Sequence, residues 1–421
     1  MSGTYRWLIA AAAFGPAAAI ACGGAGEQLF EIRTDAGEVI GWQQETASAA
    51  ARQLGFRVHG HDLQSEYQSL ARAPDGAMVL RQGRTERSAR RVRPDTVDAL
   101  TPLSQVIAAA RGEAQPGLRR LGTMPGGETV VERRIAGEFD TAWLVALDAQ
   151  GNAASTRLPL LGGDWLFVPA ATRPASATGQ LVHPMVAAPY VIPAGARAGH
   201  LRYFTAIPSG AGLPLPQTGE QRVTRLGDNR WQIDVCTDCG PGLPDDPASL
   251  AAARAPSPWI EANAPELVAA ARRAVSPDRS QAAVMQALAR IARARLATVD
   301  YNGHASALGA WKRKRGDCTE DAVVLAALAR AAGIPAKVAS GLAYERSAYH
   351  GTSSAFFPHA WTLAYVDGKW RSFDMASEGF SSAHIVLSVS DGEPSRITAG
   401  WRLAALIAWQ DMAEVRPRLR P

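Results

Sequence analysis

Cys318 stands where the sequence expects a helix to begin. Gly316-Asp317-Cys318-Thr319-Glu320-Asp321 opens an apolar run, Ala322 to Ala332, that stops at Gly333-Ile334-Pro335. The first turn of a helix leaves backbone N–H groups unpaired and carries the positive end of the dipole, so a thiol there is favoured as thiolate, the nucleophilic form. Downstream, His359 and Asp374 bring the partners that thiol chemistry needs, an imidazole to move a proton and a carboxylate to orient the imidazole. Together the three would carry acyl transfer through a thioester.

Two elements must position these residues. Asp317 can cap the helix with Glu320 three residues on, as in a capping box; Leu325, Leu328 and Ala332 recur at helical spacing, and Gly333 can end the helix. The other element is a hairpin. Residues 358–366 read as a strand, Asp367-Gly368 as a two-residue turn, and 369–374 as the returning strand. With 367 and 368 at the turn, Val366 pairs with Lys369, and Trp361 falls opposite Asp374. His359 is then a diagonal neighbour of Asp374 on the same face, at a Cβ separation of roughly 7–8 Å that one hydrogen bond can span. A slip of one residue would separate them.

Residues 306–374 resemble the core of the transglutaminase-like superfamily, which shares the papain-like fold. The resemblance rests on Arg315 to Glu320, on Ala326 to Val338, on His359-Ala360-Trp361 and on Trp370 to Asp374, in the family's order and spacing. One departure is Asp321, where relatives often carry His. The resemblance implies Cys318 as nucleophile, His359 as base and Asp374 as the third member of a triad. It also implies an α+β fold, with the nucleophile helix packed on an antiparallel sheet, and a protein or peptide substrate in the cell envelope of a bacterium. Oxyanion stabilisation is expected from the Cys318 N–H and a side-chain donor, with Trp311 and Tyr301 as candidates by position. His350 and His384 read as surface or loop histidines. Hydrolysis and amine transfer, the second giving protein crosslinks, both fit such a triad; so does an occluded triad in an envelope binding or assembly protein.

Residues 1–21 form a secretory signal pattern: Arg6, an apolar run from Trp7, and Ala19-Ile20-Ala21 before a break, too short to span a bilayer. Signal-peptidase cleavage and a lipobox-like Ala-Ile-Ala-Cys would both cut before Cys22, with lipidation of Cys22 and membrane anchoring in the second case. Residues 22–26 would be a flexible tether. Export places the chain in the periplasm, an oxidising compartment, where Cys236 and Cys239 are expected to form a local disulfide. A zinc site would need a second ligand pair, and no His is expected near; a redox role for this pair is the lesser alternative. No cofactor or metal is expected.

The composition, 47% hydrophobic and 20% charged over 421 residues, is that of a globular chain long enough for two or three domains. A net charge of +5 is too mild at this length to mark a nucleic-acid surface. The oligomeric state is left open. Residues 27–240 read as a β-rich or α+β region with a break near 150, with helices near Thr46–Leu54 and Leu103–Arg111 and a sandwich-like unit over 151–240. Residues 241–257 read as a linker and 258–421 as the transglutaminase-like domain. Within it, Ser276-Pro277-Asp278 opens a helix reaching Leu296, with Arg290 and Arg293 on a solvated face. The basic run Lys312 to Arg315 reads as solvated too, its alternative being a field that lowers the Cys318 pKa.

Overall fold

The computed structural model describes residues 26–34, 37–47, 51–58, 66–72, 78–83, 88–92, 103–115, 117–133, 141–159, 164–175, 185–206, 215–227, 229–298, 304–346, 353–375 and 379–416. Residues 1–21, read above as a signal pattern, and Cys22, Tyr301 and His350 lie outside them. The chain divides into two compact units, 1–181 and 182–421.

The first unit is built on an eleven-stranded antiparallel sheet. Six strands from Gly26–Arg33 to Ser88–Val92 and five from Leu118–Thr123 to Trp165–Pro169 each pair in sequence, and the first strand joins the last. One helix, Leu103–Ala110, buries Leu103, Val106 and Ile107 with Phe30, Ile32, Val131 and Phe167. Its first turn is capped from the sheet: the buried Glu45 carboxylate accepts from Leu103 N–H, Ser104 N–H (3.2 Å) and Ser104 Oγ (2.8 Å). The helix read over 46–54 is not found among the described residues, of which 46–47 and 51–54 are strand. Val39–Ala47 and Ala51–Val58 are neighbouring strands, because pairing along the sheet overrides an Ala-rich local preference.

The second unit holds the site. Its core sheet orders Val186–Ala187, Ala355–Val366, Ala336–Glu345 and His384–Ser390, all antiparallel, and Lys369–Phe373 pairs with Ala355–Val366. The Cys318–Ala331 helix lies against this sheet, and helices Pro265–Arg272, Gln281–Arg295 and Ala307–Arg313 pack against that helix. Val323 to Ala329 are all buried, so this helix is apolar around most of its circumference, as a central helix must be. Gln281–Arg295 starts later than its sequence suggested: Ser280, not Ser276, caps it, accepting from Ala283 N–H at 3.2 Å.

Two boundaries read from the sequence are corrected. Residues 151–240 form no unit of their own. The strands over 153–169 complete the first sheet, whereas Leu201–Ala206 pairs with Arg230–Val235 on one edge and with the C-terminal Ala408–Glu414 on the other. Such pairing between distant segments leaves no mark on local sequence. The stretch 241–257 is likewise no free linker. It carries the Asp246-capped helix Pro247–Ala252, Ala253 is buried, and Ala336 N–H donates to Ala253 O at 2.9 Å.

Candidate active site

The Cys318–Ala331 helix begins as its residues require. Thr319 N–H donates to Asp317 Oδ1 at 2.7 Å and Asp317 N–H to Glu320 Oε2 at 3.0 Å, completing the capping box. Glu320 also accepts from Ala305 N–H at 2.7 Å, which ties the helix start to the preceding loop. Gly316 is obligatory there, since a Cβ would lie 2.3 Å from Glu320 Cβ. The far end closes on Gly333 at φ +81°, with Ile334 N–H bonded to Ala329 O and Gly333 N–H to Arg330 O, each at 2.9 Å.

The hairpin has the expected register. Asp367 and Gly368 both take positive φ, 51° and 79°, and the ladder runs from Val366↔Lys369 to Thr362↔Phe373. Asp374 follows directly, and its Oδ2 lies 2.9 Å from His359 Nε2. That leaves Nδ1 of His359 for Cys318, to whose thiol His359 is hydrogen-bonded. The structure thus brings Cys318, His359 and Asp374 together, His359 bonded to each of the others. Trp361 stacks on the His359 ring at 5.9 Å, and Trp401 Nε1 donates to His359 O at 3.2 Å, fixing the imidazole's plane and its backbone.

Cys318 is partly exposed, while the groups around it are closely packed. Burial pushes its thiol above the ordinary range; the hydrogen bond and charge of His359 oppose this, Asp317 adds to the rise, and the Ala360 N–H opposes it. The helix start alone therefore does not make a thiolate, contrary to the simplest reading of the sequence. For His359, burial works against the imidazolium, but the Asp374 charge and the hydrogen bonds to Asp374 and Cys318 outweigh it and hold the pKa well above its usual value. Burial likewise disfavours the Asp374 carboxylate, yet the charge and hydrogen bonds of His359 and His384 hold it well below. Ionisation of Cys318 depends on its pairing with a protonated His359.

Other sequence candidates fall elsewhere. Trp311 is buried in the helical core with Arg295 stacked over its ring at 5.1 Å, a packing position. The basic run serves neighbouring carboxylates: Lys312 lies 3.5 Å from Glu266, and Arg313 acts on Glu320. Asp321, one turn beyond Cys318, has its carboxyl pushed up to about 7, by burial and then by the charges of Glu320 and Asp374. Arg293 is exposed, as its place on the helix face suggested, and its Nε also donates to Met375 O at 2.7 Å, beside Asp374.

Sequence reasoning missed His384. It is buried at the start of His384–Ser390, and its Nε2 lies 3.0 Å from the same Asp374 oxygen that His359 uses. The close approach of that strand depends on Gly341, which pairs with His359 on one side and whose Cβ would fall 1.9 Å from Ile385 O on the other. The signal was a glycine inside a strand, which marks close backbone approach.

Cys236 and Cys239 form a disulfide, with Cα atoms 5.4 Å apart. His200, remote in sequence, has a ring nitrogen within 4.8 Å of both sulfurs, because Leu201 pairs with Val235. The expectation that no His lies near this pair is corrected, although sulfurs joined in a disulfide are not thiolate ligands. One ligand atom from each of His359, Asp374 and His384 also lies within 4.8 Å of the others, close enough to hold a cation, but hydrogen bonds already join them.

Residues 268–375 match the family model described as Transglutaminase-like superfamily. No curated protein matches the chain. Similar solved structures include a candidate cysteine protease from Cytophaga hutchinsonii, at 14% identity and a TM-score of 0.32, covering 53% of this chain and 91% of that one. The periplasmic domain of TgpA from Pseudomonas aeruginosa is similar at 16% identity and a TM-score of 0.32, over 58% and 83% of the two chains. Since the matched segment contains Cys318, His359 and Asp374, the C-terminal half of the chain holds a transglutaminase-like domain.

Proposed function

We propose that this domain is a thiol-dependent enzyme that cleaves peptide or amide bonds in the cell envelope through a thioester. The observation that carries the proposal is His359 held between Cys318 and Asp374, with a nitrogen for each. In the first half-reaction Cys318 sulfur attacks the carbonyl carbon, the oxygen takes up negative charge near the Cys318 N–H, and His359 protonates the departing amine as the C–N bond breaks. In the second, His359 takes a proton from water, the oxygen attacks the thioester, and the acid leaves as the thiol is restored. Asp374 keeps the imidazole oriented in both.

A primary amine in place of water would give a crosslink by the same steps. Partial exposure of Cys318 supports an accessible thiol rather than an occluded one. Export is proposed from the 1–21 segment, and the Cys236–Cys239 disulfide fits an oxidising compartment. Lipidation at Cys22 remains part of the export proposal. No helix among the described residues is long and apolar enough to cross a membrane.

Mass spectrometry of a peptide library incubated with the protein tests the proposal, with and without a primary amine. Hydrolysed peptides that disappear with Cys318→Ala are expected; amine adducts would mark transfer. Full turnover by Cys318→Ala would refute the thioester.

A further inference from the structure

The Asp374 carboxylate oxygen that holds His359 is shared with a second imidazole. His384 Nε2 lies 3.0 Å from Asp374 Oδ2, and His359 Nε2 lies 2.9 Å from the same atom. The contact with Asp374 decides which ring nitrogen carries a proton, since a carboxylate oxygen only accepts: His384 Nε2–H donates to Asp374 Oδ2. Nδ1 faces Ser381, whose backbone N–H (3.1 Å) and hydroxyl (3.2 Å) can donate to it and whose backbone O also lies at 3.2 Å.

His384 is also held from its sides. It meets the Trp361 ring edge-on at 5.2 Å and the Phe380 ring at 5.1 Å, and its own ring lies 5.8 Å from that of His359. Trp361 in turn donates from Nε1 to Ser372 Oγ at 3.2 Å. A buried polar ring with both nitrogens bonded and three aromatic rings packed against it has one orientation.

We infer that His384 is a positioning residue of this active site, a fixed Nε2–H donor that shares the charge of Asp374 and so sets how strongly the carboxylate holds the proton on His359. This rests on the thiol reading above. Without His384 the whole Asp374 charge falls on His359, which then keeps its proton more tightly, and the thiolate–imidazolium pair forms at lower pH. Of the other ionisable groups here, Asp317 acts on Cys318, Asp321 interacts with His359 and Asp374, and Arg293 on the Gln281–Arg295 helix acts on Asp321.

The test needs no substrate. Iodoacetamide alkylation of Cys318 is followed against pH in the full chain and in His384→Phe, His384→Gln and His359→Ala. Phe keeps the packing and removes the donor; Gln restores an N–H. The alkylation midpoint of His384→Phe should fall by about 0.5–1 pH unit, and His384→Gln should return it towards wild type. A midpoint that does not move, moves upward, or stays shifted in His384→Gln overturns the inference. Imidazole ¹⁵N spectra of the unmodified chain give a second reading that no folding defect can obscure: His384 should carry its proton on Nε2, and a proton on Nδ1 instead overturns the inference. If wild type and His359→Ala alkylate alike, the thiol reading itself fails and the role falls with it. A His359-dependent midpoint that is indifferent to His384 removes this role alone.

Discussion

Arg293 Nε donates to the carbonyl oxygen of Met375 at 2.7 Å, so a helix preceding Cys318 holds the chain immediately after Asp374. Arg293 Nη2 also approaches Asp374 O at 3.4 Å. Asp374 sits past the last paired residue of its strand, where the ladder no longer constrains it. Arg293→Ala should therefore cost about 1–2 kcal/mol of stability and lower Cys318 alkylation at neutral pH several-fold, as urea unfolding and alkylation rates will show.

His359→Ala removes both the hydrogen bond and the charge that oppose the effect of burial on the Cys318 thiol. Alkylation in that variant should be slow at pH 7 and recover only above the free-thiol value of about 8.5. An alkylation midpoint unchanged from wild type would contradict the pairing.

Glu220 gives a pH effect away from the nucleophile. Its carboxyl accepts from Ser372 N–H at 2.9 Å, and burial pushes its pKa from 4.5 up to about 7. A raised carboxyl binds its proton more tightly when folded, so its contribution is complete below pH 4 and is lost as pH rises through the folded value. The size of the shift corresponds to a loss on the order of 3 kcal/mol by pH 8. Glu220→Gln should flatten that slope, which unfolding at pH 4, 6 and 8 will measure.

The Cys236–Cys239 disulfide encloses Thr237 and Asp238, and this loop reaches the strand that precedes Asp374. Lys369 Nζ lies 2.6 Å from Asp238 Oδ2, and Arg371 Nη1 donates to Thr237 O. Replacing both cysteines with Ser should lower stability by about 2 kcal/mol, from the loop-closure entropy of so short a ring. Cys318 alkylation well below the melting temperature should be unchanged; its loss would favour a redox role for the pair.

Gly316→Ala should destabilise by about 1–3 kcal/mol and displace Cys318, because the added carbon meets Glu320 Cβ at 2.3 Å in a buried capping box. Calorimetry together with alkylation separates the two effects.

The helix cap, the Schellman-type close at Gly333 and the Asp367-Gly368 hairpin were all legible in the sequence. Each depends on residues only a few positions apart, so local chemistry decides it. Because a two-residue turn sets register, the meeting of His359 with Asp374 was legible too. The helix expected over 46–54 failed for the opposite reason. Its backbone groups are bonded to strands from elsewhere in the sheet, and Ala-rich composition says nothing about such partners.

By itself, then, the sequence determined which residues could be nucleophile, base and orienting acid, and the two local elements that carry them. Only the tertiary structure decided the ionisation of Cys318, because burial depends on helices and strands packed around it from across the domain. It also decided the place of His384, which reaches Asp374 through strand pairings on both sides of Gly341. The same holds for the limits of the second unit, where Leu201–Ala206 takes its partner from Ala408–Glu414 at the far end of the chain. Desolvation and long-range pairing are properties of assembled neighbours, which residue spacing along the chain does not encode.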